Sequence, residues 1–157
     1  MAARLERQLD AFLDKYSPEI AAVGRAPRAR MRKLLPTAHE LVYDNYNALA
    51  IGYSPTERAS DGIYSIALYP RWVTLFFLQG AGLPDPGGLL EGGGSTVRSI
   101  RLTGGASDLD KPAVKTLIAV ALKAARVPID PKTGGTGSLL LIKSISAKQR
   151  PRGGPTG

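Results

Sequence analysis

Two apolar runs on either side of Pro70-Arg71 constrain this chain more than any other feature. Residues 63–69 and residues 72–78 each have the length of a β-strand, and the second run, WVTLFFL, is apolar at almost every position. Continuous apolarity is typical of a strand that is buried on both faces. The sequence therefore predicts a hairpin whose second strand lies near the middle of a sheet.

Shorter strand patterns occur before and after this hairpin. Residues 41–43 and 48–53 have the character of two short strands, joined by a turn rich in Asp and Asn. Residues 97–103 alternate apolar and polar side chains, which indicates a strand with one solvated face, as at a sheet edge. Residues 138–146 have the length and apolarity of one more strand.

Helical patterns lie on both sides of the strands. Residues 3–15 carry apolar side chains at helical spacing. A second helix begins at residues 17–19, where Ser17 can serve as the N-cap and Pro18 suits the first helical position. Gly24 and Pro27 within it predict a kink or a split into two short helices. Asp108 or Asp110 is expected to cap a third helix, with Pro112 in its first turn.

This order of elements predicts an α+β fold. We expect a mostly antiparallel five- to six-stranded sheet, with the N-terminal and C-terminal helices packed on one face in two layers. Residues 1–130 would form a single domain. Residues 131–157 would form a Gly-rich linker, a possible last strand at 138–146 and a basic, disordered tail.

Composition narrows the classes of function. The chain has no cysteine, which excludes disulfides, thiolate chemistry and cysteine-ligated zinc. No signal-peptide pattern and no apolar run of membrane-spanning length is visible, so we expect a soluble, cytoplasmic protein without a membrane partner. The net charge is +8, which favours anionic partners, but five of those charges lie in residues 131–157.

Four segments carry a resemblance to a known family. They are LPTAHELVYDNYNALAIGYSP (35–55), SIALYPRWVTLFFLQGAGLPDPGGLLEGGG (65–94), VRSIRL (97–102) and KSISAKQRPR (143–152). The chain resembles the YdhG-like family of small bacterial domains of unknown function, whose name-bearing member is described as a frataxin-like iron chaperone. The resemblance implies a two-layer α+β domain broadly similar to frataxin, with iron as a possible ligand. It implies no catalytic residues.

The first helix offers one candidate metal site. Glu6, Asp10 and Asp14 follow one another at intervals of four residues and therefore share a helix face. Carboxylate oxygens suit hard cations, so this stripe could hold a weakly bound iron ion. The alternative is a solvated helix surface with no ligand.

Basic residues offer a second candidate site. Arg25, Arg28 and Arg32 would share one face of the second helix, and Lys148 and Arg150 in the tail could extend it. Such a surface suits a phosphate backbone. Basic helix faces also occur in proteins that bind no nucleic acid, and that alternative stays open.

A third candidate site lies beside the Gly/Pro-rich segment that follows the hairpin. An apolar strand next to such a loop is a plausible pocket wall on which aromatic and polar side chains converge. Glu91 and Arg98 could form an ion pair that holds the loop; alternatively this pair is only structural and the aromatic rings are core. The candidate ligand-binding residues are Tyr43, Asn45, Asn47, Trp72, Gln79, Glu91 and Arg98.

No catalytic signature accompanies these candidates. The sequence has no Gly-x-Ser-x-Gly elbow, no P-loop and no second histidine for a helical metal motif. We therefore expect a non-catalytic binding or chaperone-like domain, with an unknown small ligand or protein partner, as a monomer or small homo-oligomer. The alternatives are a nucleic-acid-associated protein and an intracellular iron-binding chaperone; no cofactor other than iron is expected.

Overall fold

The computed structural model describes residues 2–129 and 139–154 of the chain. The helices and strands follow one another in the order that the sequence patterns predict, with two additional 3-10 turns at Ala59–Asp61 and Gly105–Asp110. The helices are α1 (Ala2–Leu13), α2 (Pro18–Leu34) and α3 (Pro112–Ala124). The strands are β1 (His39–Asp44), β2 (Leu49–Ser54), β3 (Tyr64–Leu68), β4 (Val73–Phe77), β5 (Arg98–Arg101) and β6 (Leu140–Ile145).

The strands form one six-stranded sheet in the order β5-β4-β3-β2-β1-β6. All neighbours are antiparallel except β6, which runs parallel to β1, so the sheet is mixed. The expected edge strand is confirmed as β5. The prediction for β4 was wrong in one respect: it lies next to the edge, and β2 and β3 occupy the middle of the sheet. β4 is nevertheless largely buried, at four of its five positions.

The helices cover one face of the sheet, which confirms the two-layer α+β prediction. The register aligns Val42, Ile51, Ile66, Leu75 and Ile100 across five strands. This row belongs to the hydrophobic core or packs against it. The neighbouring rows point to the opposite face, because successive side chains of a strand alternate. We call that opposite side the open face.

The second helix is continuous from Pro18 to Leu34, so the predicted split at Gly24 and Pro27 was wrong. The predicted cap is present, since Ser17 Oγ accepts a hydrogen bond from the Ile20 amide at 3.3 Å. Gly24 allows the helix to approach β3 closely: a methyl group there would lie 2.5 Å from Leu68 Cδ2.

The C-terminal segment differs most from its prediction. The possible last strand exists as β6, while Ser138 and the predicted linker lie outside the described residues. The residues after Ala147 were expected to be disordered, but as far as residue 154 they are tied to the body of the protein. The Arg150 amide donates to Tyr46 O at 2.9 Å, and the Gly154 amide donates to Lys15 O at 2.9 Å.

Arg152 is the physical reason for this ordering. Only 2% of its side chain is exposed, and its guanidinium donates to Asp44 Oδ1 at 3.1 Å, to Tyr16 Oη at 2.6 Å and to Asn45 O. Asp44 is fully buried, and Lys15 Nζ contacts its other oxygen at 2.8 Å. A buried carboxylate is tolerated when it is paired in this way, so the tail completes the core rather than leaving it.

We predict that Arg152→Ala lowers the free energy of unfolding by about 3 kcal/mol, because it leaves the buried Asp44 carboxylate with one partner fewer. Urea denaturation followed by circular dichroism measures the change. Arg150→Ala removes the same type of side chain from an exposed position two residues away, and should change stability by less than about 0.5 kcal/mol. Equal stabilities of the two variants would contradict a docked tail.

Candidate binding cleft

The acidic stripe of α1 and the basic stripe of α2 face each other. Arg28 contacts Glu6 at 3.0 Å, Arg32 contacts the same carboxylate at 3.1 Å, and Arg25 contacts Asp14 at 2.9 Å and Asp10 at 3.8 Å. The candidate metal site and the helical part of the candidate nucleic-acid site are therefore one ladder of ion pairs between two helices. Within the described ranges, no cluster of three or more His, Cys, Asp or Glu residues could hold a metal ion.

The inner end of this ladder is buried. Arg28 Nε and Nη2 each donate to the Glu40 carboxylate at 3.0 Å, and Tyr53 Oη donates to the same carboxylate at 2.9 Å. Burial opposes the charge on Arg28, but hydrogen bonds and charges from Glu40 and Glu6 outweigh it and raise the pKa of the guanidinium. These groups stabilise the fold and are not available to a ligand.

A cleft of about 610 Å³ lies at the other side of the molecule, at one end of the sheet. Three segments build it: the turn after β1, the turn between β3 and β4, and the C-terminal tail. The residues that line it are Asn47, Tyr69, Pro70, Arg71, Trp72, Arg150 and Pro151. Asn47, Trp72 and Arg150 come from two separate predicted sites, and the fold brings them together.

Trp72 is held between two neighbours in this cleft. Its ring stacks on Tyr69, with centroids 5.3 Å apart and planes inclined by 28°. Arg101 Cζ lies 4.3 Å from the Trp72 ring centroid, within cation–π distance. Tyr69 belongs to the β3 side and Arg101 to the β5 side, so the indole is fixed between residues of both neighbouring strands.

The cleft is electropositive. Arg71, Arg101 and Arg150 are all exposed, and in the described part of the chain no ion pair engages any of them. Asp44, at the end of β1 beside the cleft, does not neutralise these arginines, because its carboxylate is already bound by Lys15 and Arg152. The cleft therefore offers unpaired guanidinium groups around an aromatic pair, an arrangement that suits an anionic ligand with a flat group.

Sequence reasoning missed Tyr69, Arg71, Arg101 and the anchoring role of Arg152. Strand alternation offered one usable signal. Trp72 lies two residues before Thr74, and Thr74 pairs with Arg101, so the two side chains share the open face once the register is known. No comparable signal exists for Arg152, because its partners are more than 100 residues away.

The other predicted ligand residues are dispersed. Gln79 lies at the opposite end of β4, where its amide donates to Gly62 O at 3.1 Å. The predicted Glu91–Arg98 ion pair is not formed: Arg98 donates to Gly94 O and Val97 O, while Glu91 joins Ser99 through backbone hydrogen bonds. Arg98 aligns with Phe77, a core residue, and therefore lies on the helical side of β5.

Tyr43 and Asn45 lie near the cleft without lining it. Tyr43 aligns with Ala50 on the open face, and its buried hydroxyl has no hydrogen-bond partner among the described residues. Asn45 lines a shallow depression of about 470 Å³ on the open face, and Asn47 and Tyr69 line both this depression and the cleft. The cleft therefore continues onto the sheet.

No protein-family model, curated protein or solved structure matches this chain. Among the described residues, no helix is both long enough and apolar enough to cross a membrane.

We predict that Arg28→Met lowers the free energy of unfolding by about 3 kcal/mol, because Glu40 would stay buried without its main partner. Arg25→Met is the matched control: the Asp14 side chain it contacts is 70% exposed, so its loss should cost less than about 1 kcal/mol. Urea denaturation compares the two variants. Equal losses would show that the buried part of the ladder does not carry the stabilisation.

Stability should also fall above about pH 10, where an unfolded tyrosine ionises. Burial raises the pKa of Tyr16, Tyr43, Tyr53 and Tyr64, and the Glu40 carboxylate raises the pKa of Tyr53 further. Because the folded pKa values are raised, the folded state keeps protons that the unfolded state has lost, and this contribution disappears as pH rises.

Urea denaturation between about pH 9 and pH 11.5 tests this expectation. Tyr53→Phe should make the decline less steep by up to about 1.4 kcal/mol per pH unit, because one linked proton is removed. A flat stability profile in the parent protein, or an unchanged slope in the variant, would contradict the assignment.

Proposed function

We propose that this protein is a non-catalytic binding domain of the YdhG-like kind, and that it holds an anionic ligand in the cleft around Trp72. One observation carries the proposal: Arg71, Arg101 and Arg150 converge on a stacked aromatic pair and have no carboxylate partner among the described residues. Guanidinium groups in this setting favour phosphate or carboxylate groups, and the rings favour a flat ligand surface.

The chemistry of the lining supports binding rather than catalysis. The charged groups of the cleft are arginines, which remain protonated and cannot exchange protons with a substrate near neutral pH. The remaining lining groups are aromatic rings, prolines and one amide. These groups orient and hold a ligand. A chaperone-like role, in which the cleft holds an acidic segment of another protein, belongs to the same proposal.

The family proposal rests on the four resembling segments, and all four contribute to the cleft. Residues 35–55 contain Asn47, and residues 97–102 contain Arg101. Residues 65–94 contain Tyr69, Arg71 and Trp72, while residues 143–152 contain Arg150 and its anchor Arg152. A cytoplasmic, bacterial location is proposed with the family, and the cysteine-free sequence is compatible with it. The iron-chaperone alternative keeps the family resemblance as its support, while its proposed ligands Glu6, Asp10 and Asp14 are paired with arginines.

Trp72 is the only tryptophan of the chain, so its fluorescence reports on the cleft directly. We predict that inorganic pyrophosphate changes its emission in a saturable way at low salt. Arg71→Gln and Arg150→Gln should each weaken binding about fivefold, because each removes one charged hydrogen bond at an exposed position.

The matched control for this titration is Arg7→Gln, the same change at an exposed position on α1. It should leave the dissociation constant unchanged. A Trp72 emission that does not respond to pyrophosphate, or a response that Arg7→Gln weakens as much as Arg71→Gln does, would overturn the proposed site.

A further inference from the structure

On the open face, the aligned positions of strands β1 to β5 carry no negative charge. Two rows of five aligned positions cross strands β1 to β5 on this side. They consist of Leu41, Gly52, Ser65, Phe76 and Ser99 in one row, and Tyr43, Ala50, Ala67, Thr74 and Arg101 in the other. The only charged side chain among these ten is Arg101. Glu91 pairs with Ser99 beyond this row, at the outer edge of β5. A polyanion that crosses the five strands would therefore be attracted by Arg101 and would meet a carboxylate only at that outer edge.

Aromatic side chains stand beside the depression that continues from the cleft. Tyr46, Tyr69 and Phe76 line it, and Tyr46 is 46% exposed although it is a large ring. Phe76 is half-buried on the open face, two residues beyond Thr74. Exposed rings on a sheet are platforms on which unpaired bases can stack, independently of base identity.

The unpaired arginines and the exposed rings lie next to each other on this surface. Arg71, from the turn between β3 and β4, and Arg150, from the C-terminal tail, line the cleft, and Arg101 of β5 lies against the Trp72 ring beside them. The rings extend from the cleft to the middle of the open face through Asn47 and Tyr69, which line both hollows. Phosphates at the cleft would place successive bases over the aromatic side chains.

We propose that the open face and the cleft together bind single-stranded nucleic acid. The inference rests on the proposed function, since the phosphates would occupy the same anion site. Paired bases already stack on one another and would leave Tyr46 and Phe76 without partners, so a duplex suits the surface less well than a single strand. RNA and DNA share the required chemistry, and the test separates them.

The experiment is a titration of the full chain with labelled ten-nucleotide oligo(dT) and oligo(rU), followed by fluorescence anisotropy and by Trp72 emission. We expect both strands to bind at 50 mM salt and to quench Trp72. With three phosphates neutralised, affinity should fall about 20-fold between 50 and 200 mM salt. A duplex of the same length should bind more weakly than either single strand.

Two variants separate charge from stacking. Arg101→Gln should weaken binding and also reduce the salt dependence by about 0.7 in the logarithmic slope. Tyr46→Ala should weaken binding about tenfold and leave that slope unchanged, because it removes a stacking ring and no charge. Arg7→Gln should change neither quantity. Circular dichroism and urea denaturation of each variant exclude loss of the fold as the cause.

The outcomes distinguish this inference from the proposed function. If an abasic phosphodiester of equal length binds as well as oligo(dT), or if Tyr46→Ala has no effect, the bases are not recognised and the inference is overturned. Tighter binding of poly-glutamate than of oligo(dT) would identify an acidic protein segment as the occupant, and would also overturn it. In both cases, a Trp72 response to pyrophosphate would still support the proposed anion site in the cleft. No Trp72 response to any of these probes overturns both proposals.

Discussion

The buried ion pair between Arg152 and Asp44 is the interaction on which the sheet end depends. Neither group could be removed from water alone, because an isolated buried charge costs several kcal/mol. Tyr16 completes the arrangement: its hydroxyl donates to Leu68 O, and accepts from the Leu49 amide and from Arg152. One network thereby connects the end of α1, the turn after β1, the end of β3 and the C-terminal tail.

The candidate cleft is a consequence of that network. Arg150 and Pro151 form part of its wall only because Arg152 is fixed beneath them and the Arg150 amide is bonded to Tyr46 O. β6 positions the tail, because it runs parallel to β1 and brings the chain alongside Asp44. The Ser146 amide then donates to Asp44 O at 2.8 Å. Residues far apart in sequence thus define one surface.

Arginine has two separate uses in this molecule. On α2, the guanidinium groups of Arg25 and Arg28 neutralise carboxylates of α1 and the buried Glu40. At the sheet end, Arg71, Arg101 and Arg150 have no acidic partners among the described residues, and they surround an aromatic pair. The proposed function follows from this difference in pairing rather than from the number of arginines.

The sequence by itself determined the fold class. Alternation and apolar runs located the strands, helical spacing located the helices, and Ser17 marked the start of α2, because these signals depend on neighbours within a few residues. The continuity of α2 through Pro27 depends on tertiary packing, because the contact of the helix with β3 outweighs the local preference for a break.

Only the tertiary structure decided which charges are free. The acidic stripe of α1 has the spacing of a metal-binding site, and the basic stripe of α2 has that of a phosphate-binding site. Helix packing pairs the two stripes with each other. Trp72, Arg101 and Arg150 meet because sheet register and a buried anchor at Arg152 bring distant segments together. Charge recognition depends on distances of a few ångströms, and those distances between remote residues exist only in the folded chain.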